Sequence, residues 1–230
     1  MATARARTIG RTMIDRLFVH GVVEEVGHLT PRTRMIAITA PGLSWTPGQQ
    51  VRVAVDGPMT RRTYSIWEYD GSVLRLCVLD HGDGPGARWA RDVRPGQEVA
   101  FRKPEGSFVT RPSSYHLFAG EETAAVAFGP MIRAVGEAPV YGVVEVDGPA
   151  DRLPLDLTWR HRDGAPAASS ASLVEAVRAL RLPDEPGTAY VAGEARTVQA
   201  VREHLVRERG WPRRLVLTKP FWTPGKKGME

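Results

Sequence analysis

Val51-Arg52-Val53-Ala54-Val55 puts valine at every second position, and its reading decides the first half of the fold. Successive side chains of a strand point to opposite faces, so valines at period two line one buried face of a sheet. Similar short runs surround it. Val22, Val23 and Val26 mark one, Met35, Ile36 and Ile38 another, and Thr63–Trp67, Val73–Leu79 and Gln97–Phe101 follow. Turn dipeptides separate them: Pro41–Gly42, Pro47–Gly48 and Pro95–Gly96, with Asp56–Gly57 and Asp70–Gly71. Short strands between such turns predict a small antiparallel β-barrel or sandwich over residues 14–111. One helix is predicted to interrupt them, near Gly86–Asp92.

From about Ser114 the texture changes. Strands are predicted at Tyr115–Ala119, Val140–Val146, Leu155–Trp159, Thr188–Ala192 and Leu215–Thr218. Helices are predicted from Ala124 toward Val135, over Ser172–Leu180 with Ser172 as N-cap, and over Glu194–Arg209 with Gly210 just past the end. Pro130, after Gly129, is expected to break the first of these, because proline removes an internal hydrogen bond. Alternating strand and helix predicts a mostly parallel sheet between helices, an α/β three-layer domain over residues 112–230.

The chain has 230 residues, enough for two domains of about 100 residues each. Hydrophobic residues make up 42% and charged residues 25%, an ordinary globular composition that excludes wholesale disorder. The net charge is +5, with Arg5, Arg7 and Arg11 in residues 1–13, which read as a flexible basic tail. No apolar stretch follows that tail, so it does not read as a secretory signal, and a cytoplasmic protein is expected. No run of about 18 apolar residues occurs, so no membrane span is expected. The basic charges are scattered without interleaved aromatics, which argues against nucleic-acid binding. The single cysteine, Cys77, excludes an intramolecular disulfide and is expected as a core thiol. The histidines show no metal-ligand spacing, and no G-x-S-x-G marks a hydrolase nucleophile.

Six segments are suited to chemistry. In Arg62-Thr63-Tyr64-Ser65 an arginine fork suits a phosphate and a tyrosine ring suits a planar heterocycle. The alternative is a barrel strand with a surface arginine. His81-Gly82-Asp83-Gly84-Pro85-Gly86-Ala87-Arg88-Trp89-Ala90 is a glycine-rich turn entering a helix, whose first amides attract phosphate; it also reads as a plain connector. Gly120-Glu121-Glu122-Thr123-Ala124 and Val191-Ala192-Gly193-Glu194-Ala195 each lead a strand into a helix, where ligands of open α/β sheets bind. There Thr123 suits a cap or a phosphate contact, and Glu194 favours a helix start whatever binds. Trp159-Arg160-His161-Arg162 offers arginines to a nucleotide phosphate or to water. The ending Lys219-Pro220-Phe221-Trp222-Thr223-Pro224-Gly225-Lys226-Lys227 reads as an aromatic plug or as a cover for a flat ring.

In their order, these pieces resemble the siderophore-interacting protein family, flavin-dependent ferric-siderophore reductases of the ferredoxin–NADP reductase-like group. The resemblance runs from about Leu17 to Gly225. It implies a two-domain chain: an antiparallel flavin-binding β-barrel followed by an NAD(P)H-binding α/β domain. It further implies FAD as cofactor, with Arg62 on the pyrophosphate, Tyr64 on the isoalloxazine, Ser65 near its reactive edge and Thr63 also among the cofactor-binding residues. His81 and Gly86, Ala87, Arg88 and Trp89 would hold the diphosphate and adenosine side. Thr123, Gly193, Glu194 and Arg162 would line the site for NADPH or NADH, and Trp222 would close on the flavin. Lys219, Lys226 and Lys227 would attract an anionic ferric siderophore. Gly86, and Asp80 before His81, depart from what is common in the family. An electron-carrier protein as donor, a flavin reductase or biosynthetic redox enzyme on the same fold, and a non-catalytic flavin- or ferric-complex-binding protein are the alternatives. A monomer is expected.

Overall fold

A computed structural model describes residues 18–226. The 1–13 tail and Lys227 lie outside the described residues. The first half is a closed antiparallel barrel of β1 (Val19–Thr30), β2 (Thr33–Thr39), β3 (Gln50–Asp56), β4 (Thr60–Tyr69), β5 (Val73–Leu79) and β6 (Glu98–Phe101). Around the barrel the order is β1-β2-β5-β4-β3-β6, and β6 closes back on β1 from Val19↔Phe101 to Val22↔Glu98. Its interior holds Ile36, Ile38, Val51, Val53, Ile66, Leu74, Leu76 and Phe101. Val51 and Val53 are fully buried, as their alternation predicts, whereas Val55 is only partly so. Helix α1 (Pro85–Asp92) lies between β5 and β6.

The second half is a five-stranded sheet in the order β11-β10-β7-β8-β9, parallel throughout. Its strands are β7 (His116–Glu121), β8 (Val140–Val146), β9 (Thr158–His161), β10 (Thr188–Glu194) and β11 (Val216–Trp222). Helix α2 (Glu122–Ala134) covers one face; α3 (Ala171–Arg178) and α4 (Ala195–Glu203) cover the other. Alternate residues of β7 divide accordingly, Phe118 toward α2, Leu117 and Ala119 toward α3 and α4. The strand order reverses between β7 and β10, so their carboxyl ends form the crevice where ligands of open α/β sheets sit.

Helix α2 also packs on the outside of the barrel, sharing a cluster with Trp67 and Cys77. Arg133 lies 4.7 Å over the Trp67 ring and donates to the Trp67 carbonyl at 2.6 Å. Cys77 is a buried thiol whose pKa burial pushes up, as a core residue requires.

Four local readings are corrected. α2 is not broken at Gly129-Pro130; it runs through both, because burial of Ala124–Met131 outweighs one lost hydrogen bond. α3 starts one residue earlier than read, capped by Ser170 rather than Ser172, with Ser170 Oγ accepting Leu173 N–H at 3.1 Å. β9 starts at Thr158, since Leu155 is held in a turn by the Leu153 carbonyl. β11 runs on to Trp222, so Phe221 and Trp222 belong to a strand. The last helix passes from α4 into a five-residue π turn, His204–Glu208, and Gly210 follows at φ +72°.

Candidate functional site

A cleft of about 900 Å³ lies between barrel and sheet. β4 brings Arg62, Thr63, Tyr64 and Ser65 to it; the β5–α1 turn brings His81, Gly86 and Ala87; α2 brings Thr123; β11 and its continuation bring Lys219, Trp222 and Lys226. Ser65 and Cys77 are twelve positions apart in the chain, yet both line this space because β4 and β5 are neighbours in the barrel.

On the barrel side the cleft suits a phosphate-bearing planar ligand. The guanidinium of Arg62 hydrogen-bonds the Arg61 carbonyl at 2.7 Å and meets no carboxylate among the described residues. Beside it α1 opens with Pro85 and no side-chain cap, and Gly86 and Ala87 at its start line the cleft. Orphan amides and an unpaired arginine together make an anion seat. Gly86 is required there: a Cβ would stand 2.6 Å from Tyr64 Oη and 3.1 Å from Arg62 Cγ. Asp80 pairs with Arg91 at 2.8 Å, and Arg91 also reaches Asp83, which fixes the turn.

Tyr64 stacks on Trp89, with centroids 5.5 Å apart and planes 22° from parallel. Its hydroxyl is buried without a partner, and burial pushes its pKa up. A buried orphan hydroxyl costs free energy that a ligand atom would recover. These features fit the diphosphate and ring system of FAD. Arg88 and Trp89 face away from the main cleft, into a groove of about 380 Å³ lined also by Val55, Asp92 and Gln97.

The sheet side differs from the expectation for a nucleotide site. Arg162 lines the cleft but is not free there; its side chain is almost fully covered and forks onto Glu122, at 2.5 and 2.6 Å, with Glu145 at 3.9 Å. Glu194 is fully buried and absent from the cleft wall. Its carboxylate accepts the N–H groups of Ser169, Arg196 and Thr197, which hold its pKa below the usual range against burial. Gly193, at φ +120°, also stays off the wall. Thr123 does not cap α2. Glu121 does, accepting Thr123 N–H at 2.9 Å, while the Thr123 hydroxyl donates to the other carboxylate oxygen.

Lys219 is half-buried, with its ammonium 5.5 Å from the Phe221 ring centroid and 5.9 Å from that of Phe108. Burial pulls its pKa down to about 8, against the opposing pull of Glu105. Lys226 is exposed at the cleft's edge.

Residues 46–108 match the family model of the siderophore-interacting FAD-binding domain, and residues 113–225 match that of the siderophore-interacting protein. This chain belongs to the siderophore-interacting protein family. Among relatives of the family, a ferric vibriobactin reductase of Vibrio cholerae is 28% identical over 178 residues. That match covers 72% of this chain and spans 65% of the relative. A mycobactin import ATP-binding/permease protein of Mycolicibacterium thermoresistibile is 32% identical over 180 residues, 72% of this chain and 19% of that one. Among solved structures, a siderophore utilization protein from T. fusca superposes with a TM-score of 0.80 at 22% identity, over 93% of this chain and 95% of that one. The siderophore-interacting protein SipS from Aeromonas hydrophila gives 0.74 at 24% identity, over 90% and 98%. Siderophore-interacting proteins thus share this barrel-and-sheet fold.

Several lining residues escaped the sequence reading. Arg32, in the β1–β2 turn, comes within 4 Å of Glu122, Asp147 and Asp151 of the sheet domain. Gln50 and Asp147 also line the cleft. No local pattern marks Arg32, because its partners lie about 90 residues or more away. Glu121 and Glu122 stand in the Gly120–Ala124 motif, in which the sequence points to their neighbour Thr123.

Proposed function

We propose that this protein is an FAD-dependent oxidoreductase that takes electrons from NADPH or NADH and passes them to a ferric siderophore. The observation that carries this is the barrel side of the cleft. There an unpaired arginine, uncapped helix amides and an orphan tyrosine hydroxyl converge in a chain of the siderophore-interacting family. Arg62 and the amides of Gly86 and Ala87 bind the diphosphate. Tyr64, Thr63 and Ser65 orient the ring system, His81 stands at the cleft's edge, and Trp222 closes the opposite wall. Bound FAD supplies two-electron acceptance and one-electron donation; the protein supplies orientation and electrostatics. Lys219 and Lys226 draw the anionic ferric complex to the cleft, and reduction weakens hard-oxygen chelation so that iron leaves as Fe(II).

A second reading keeps FAD and the acceptor but takes electrons from a carrier protein. The commitment of Arg162 to Glu122 and of Glu194 to α4 favours it, since neither is free for a nucleotide. An anaerobic visible spectrum of the FAD-loaded protein separates the readings. Bleaching by NADPH or NADH, reversed by a ferric siderophore, is the expected result. A flavin band that neither nucleotide bleaches, but a reduced carrier does, transfers the assignment to the second reading. Protein that takes up no FAD overturns both.

A further inference from the structure

We propose that Glu121 is the positioning residue for Trp222, holding the aromatic wall of the cleft in place by accepting the indole N–H. The sheet order makes the contact unusual. Glu121 ends β7 and Trp222 ends β11, and β10 lies between these two strands. The carboxylate therefore spans a whole strand, and Trp222 Nε1 donates to its Oε1 at 3.0 Å.

Gly193 of β10 makes the span possible. A Cβ at that position would come to 2.6 Å from Glu121 Oε1, and the backbone sits at φ +120°, where side chains are strained. The glycine is the hole through which the carboxylate reaches. Capping α2 requires only one oxygen, and Oε2 supplies it by accepting Thr123 N–H. The second oxygen is left for Trp222 and the Thr123 hydroxyl. Three of the motif residues, Gly193, Thr123 and Trp222, are thus accounted for by one side chain.

The charges around Glu121 make the latch sensitive to protons. On α2 the next residue, Glu122, repels it, while Arg162 and Arg32 sit on Glu122. On β8, Glu145 lies behind Arg162. On β10, Glu194 is turned to the start of α4, and on β11 Lys219 precedes Trp222 by three residues. Burial, with Glu122, raises the Glu121 carboxyl to about 7. The ionised carboxylate is the stronger acceptor, so protonation loosens Trp222.

The contact rests on the flavin reading only in making Trp222 a wall of a flavin site. It is tested in flavin-free protein labelled with 5-fluorotryptophan, the Trp222 line being the one lost in Trp222→Phe. In a fluorine NMR titration between about pH 5 and pH 9, the Trp222 line is expected to move with a midpoint near 7, and Glu121→Gln to abolish the movement. A stationary Trp222 line in the unsubstituted protein, or an unchanged midpoint in Glu121→Gln, overturns the proposal. If Glu121→Gln does not fold, Thr123→Val decides. Losing the hydroxyl must raise the midpoint, and an unchanged midpoint overturns the proposal equally. A failed FAD titration beside a successful fluorine titration rejects the flavin reading and leaves the latch standing.

Discussion

Arg62 and Gly86 meet around Tyr64, and the arginine is the residue there whose substitution tests the anion seat. Arg62→Ala removes the guanidinium of that anion seat, which meets no carboxylate among the described residues. A charge-assisted hydrogen bond contributes about 1.5–3 kcal/mol, so FAD affinity is expected to fall by about 10- to 150-fold in a fluorescence titration. Retained affinity would leave Arg62 as a surface residue of a barrel strand. Glu121 gives a different prediction, for stability against pH. Its folded pKa, about 7, lies above its ordinary 4.5. The native state therefore binds more protons than the unfolded state between these values, and stability from this group is present below 4.5 and lost as pH rises through 7. Each unit is worth about 1.4 kcal/mol, so Glu121→Gln gains roughly 3 kcal/mol on the unsubstituted protein across that window. Urea unfolding at several pH values measures the slope, which does not depend on what the amide itself costs.

At the scale of elements, α2 shows where local rules and tertiary packing part company. Gly129 and Pro130 are both poor helix residues, and the sequence alone argues for a break. The structure keeps the helix because Gly129 lies against the Trp67 ring, where a Cβ would come to 2.3 Å of Cζ3. The glycine sets how closely α2 approaches the barrel. Gly129→Ala gains about 1 kcal/mol of helix propensity, but overpacking against a rigid indole costs about 1–3 kcal/mol. The net expectation is a destabilised protein with a lower urea midpoint; a stabilised one would show that α2 can move off Trp67 freely. The barrel strands were legible because one-sided burial enforces period two, as at Val51 and Val53. The helix caps were less so: Ser170 and Glu121 do the capping assigned to Ser172 and Thr123, because side chains one or two residues apart compete for the same amides.

Across the whole molecule, the short motifs gave the residues that line the barrel side of the cleft, while the arrangement of the sheet side was not legible in them. Arg62, Tyr64 and Gly86 lie within one strand and one turn. Arg162, by contrast, is placed by a buried network joining Glu122, Glu145 and, through Arg32, the barrel. Arg162→Met leaves Glu122 with only Arg32, at 3.6 Å, and Glu145 with no cation among the described residues, at a cost of about 3–5 kcal/mol. The expected signature is a large loss of stability in urea. A folded, equally stable variant with a raised KM for nucleotide alone would return Arg162 to the nucleotide site.

Lys219 belongs to the same scale, because its neighbours come from different parts of the fold: Glu105 and Phe108 follow β6, and Phe221 lies on β11. Its ammonium is flanked by Phe108 and Phe221, and burial lowers its pKa to about 8. The lysine is cationic below that value and neutral above it. The attraction proposed for an anionic ferric complex is therefore expected at lower pH and expected to be lost as pH rises through about 8. A single half-buried charge is worth about 1–2 kcal/mol at moderate salt, which sets a rise in KM of about 5- to 30-fold. Lys219→Met should show the high KM at every pH and lose the step, while an uncharged acceptor should show no step in either protein. Steady-state reduction of anionic and neutral acceptors from pH 7 to about pH 9 reads both. A step common to the two acceptors would place the titrating group on the electron-donor side of the reaction and remove Lys219 from acceptor recognition.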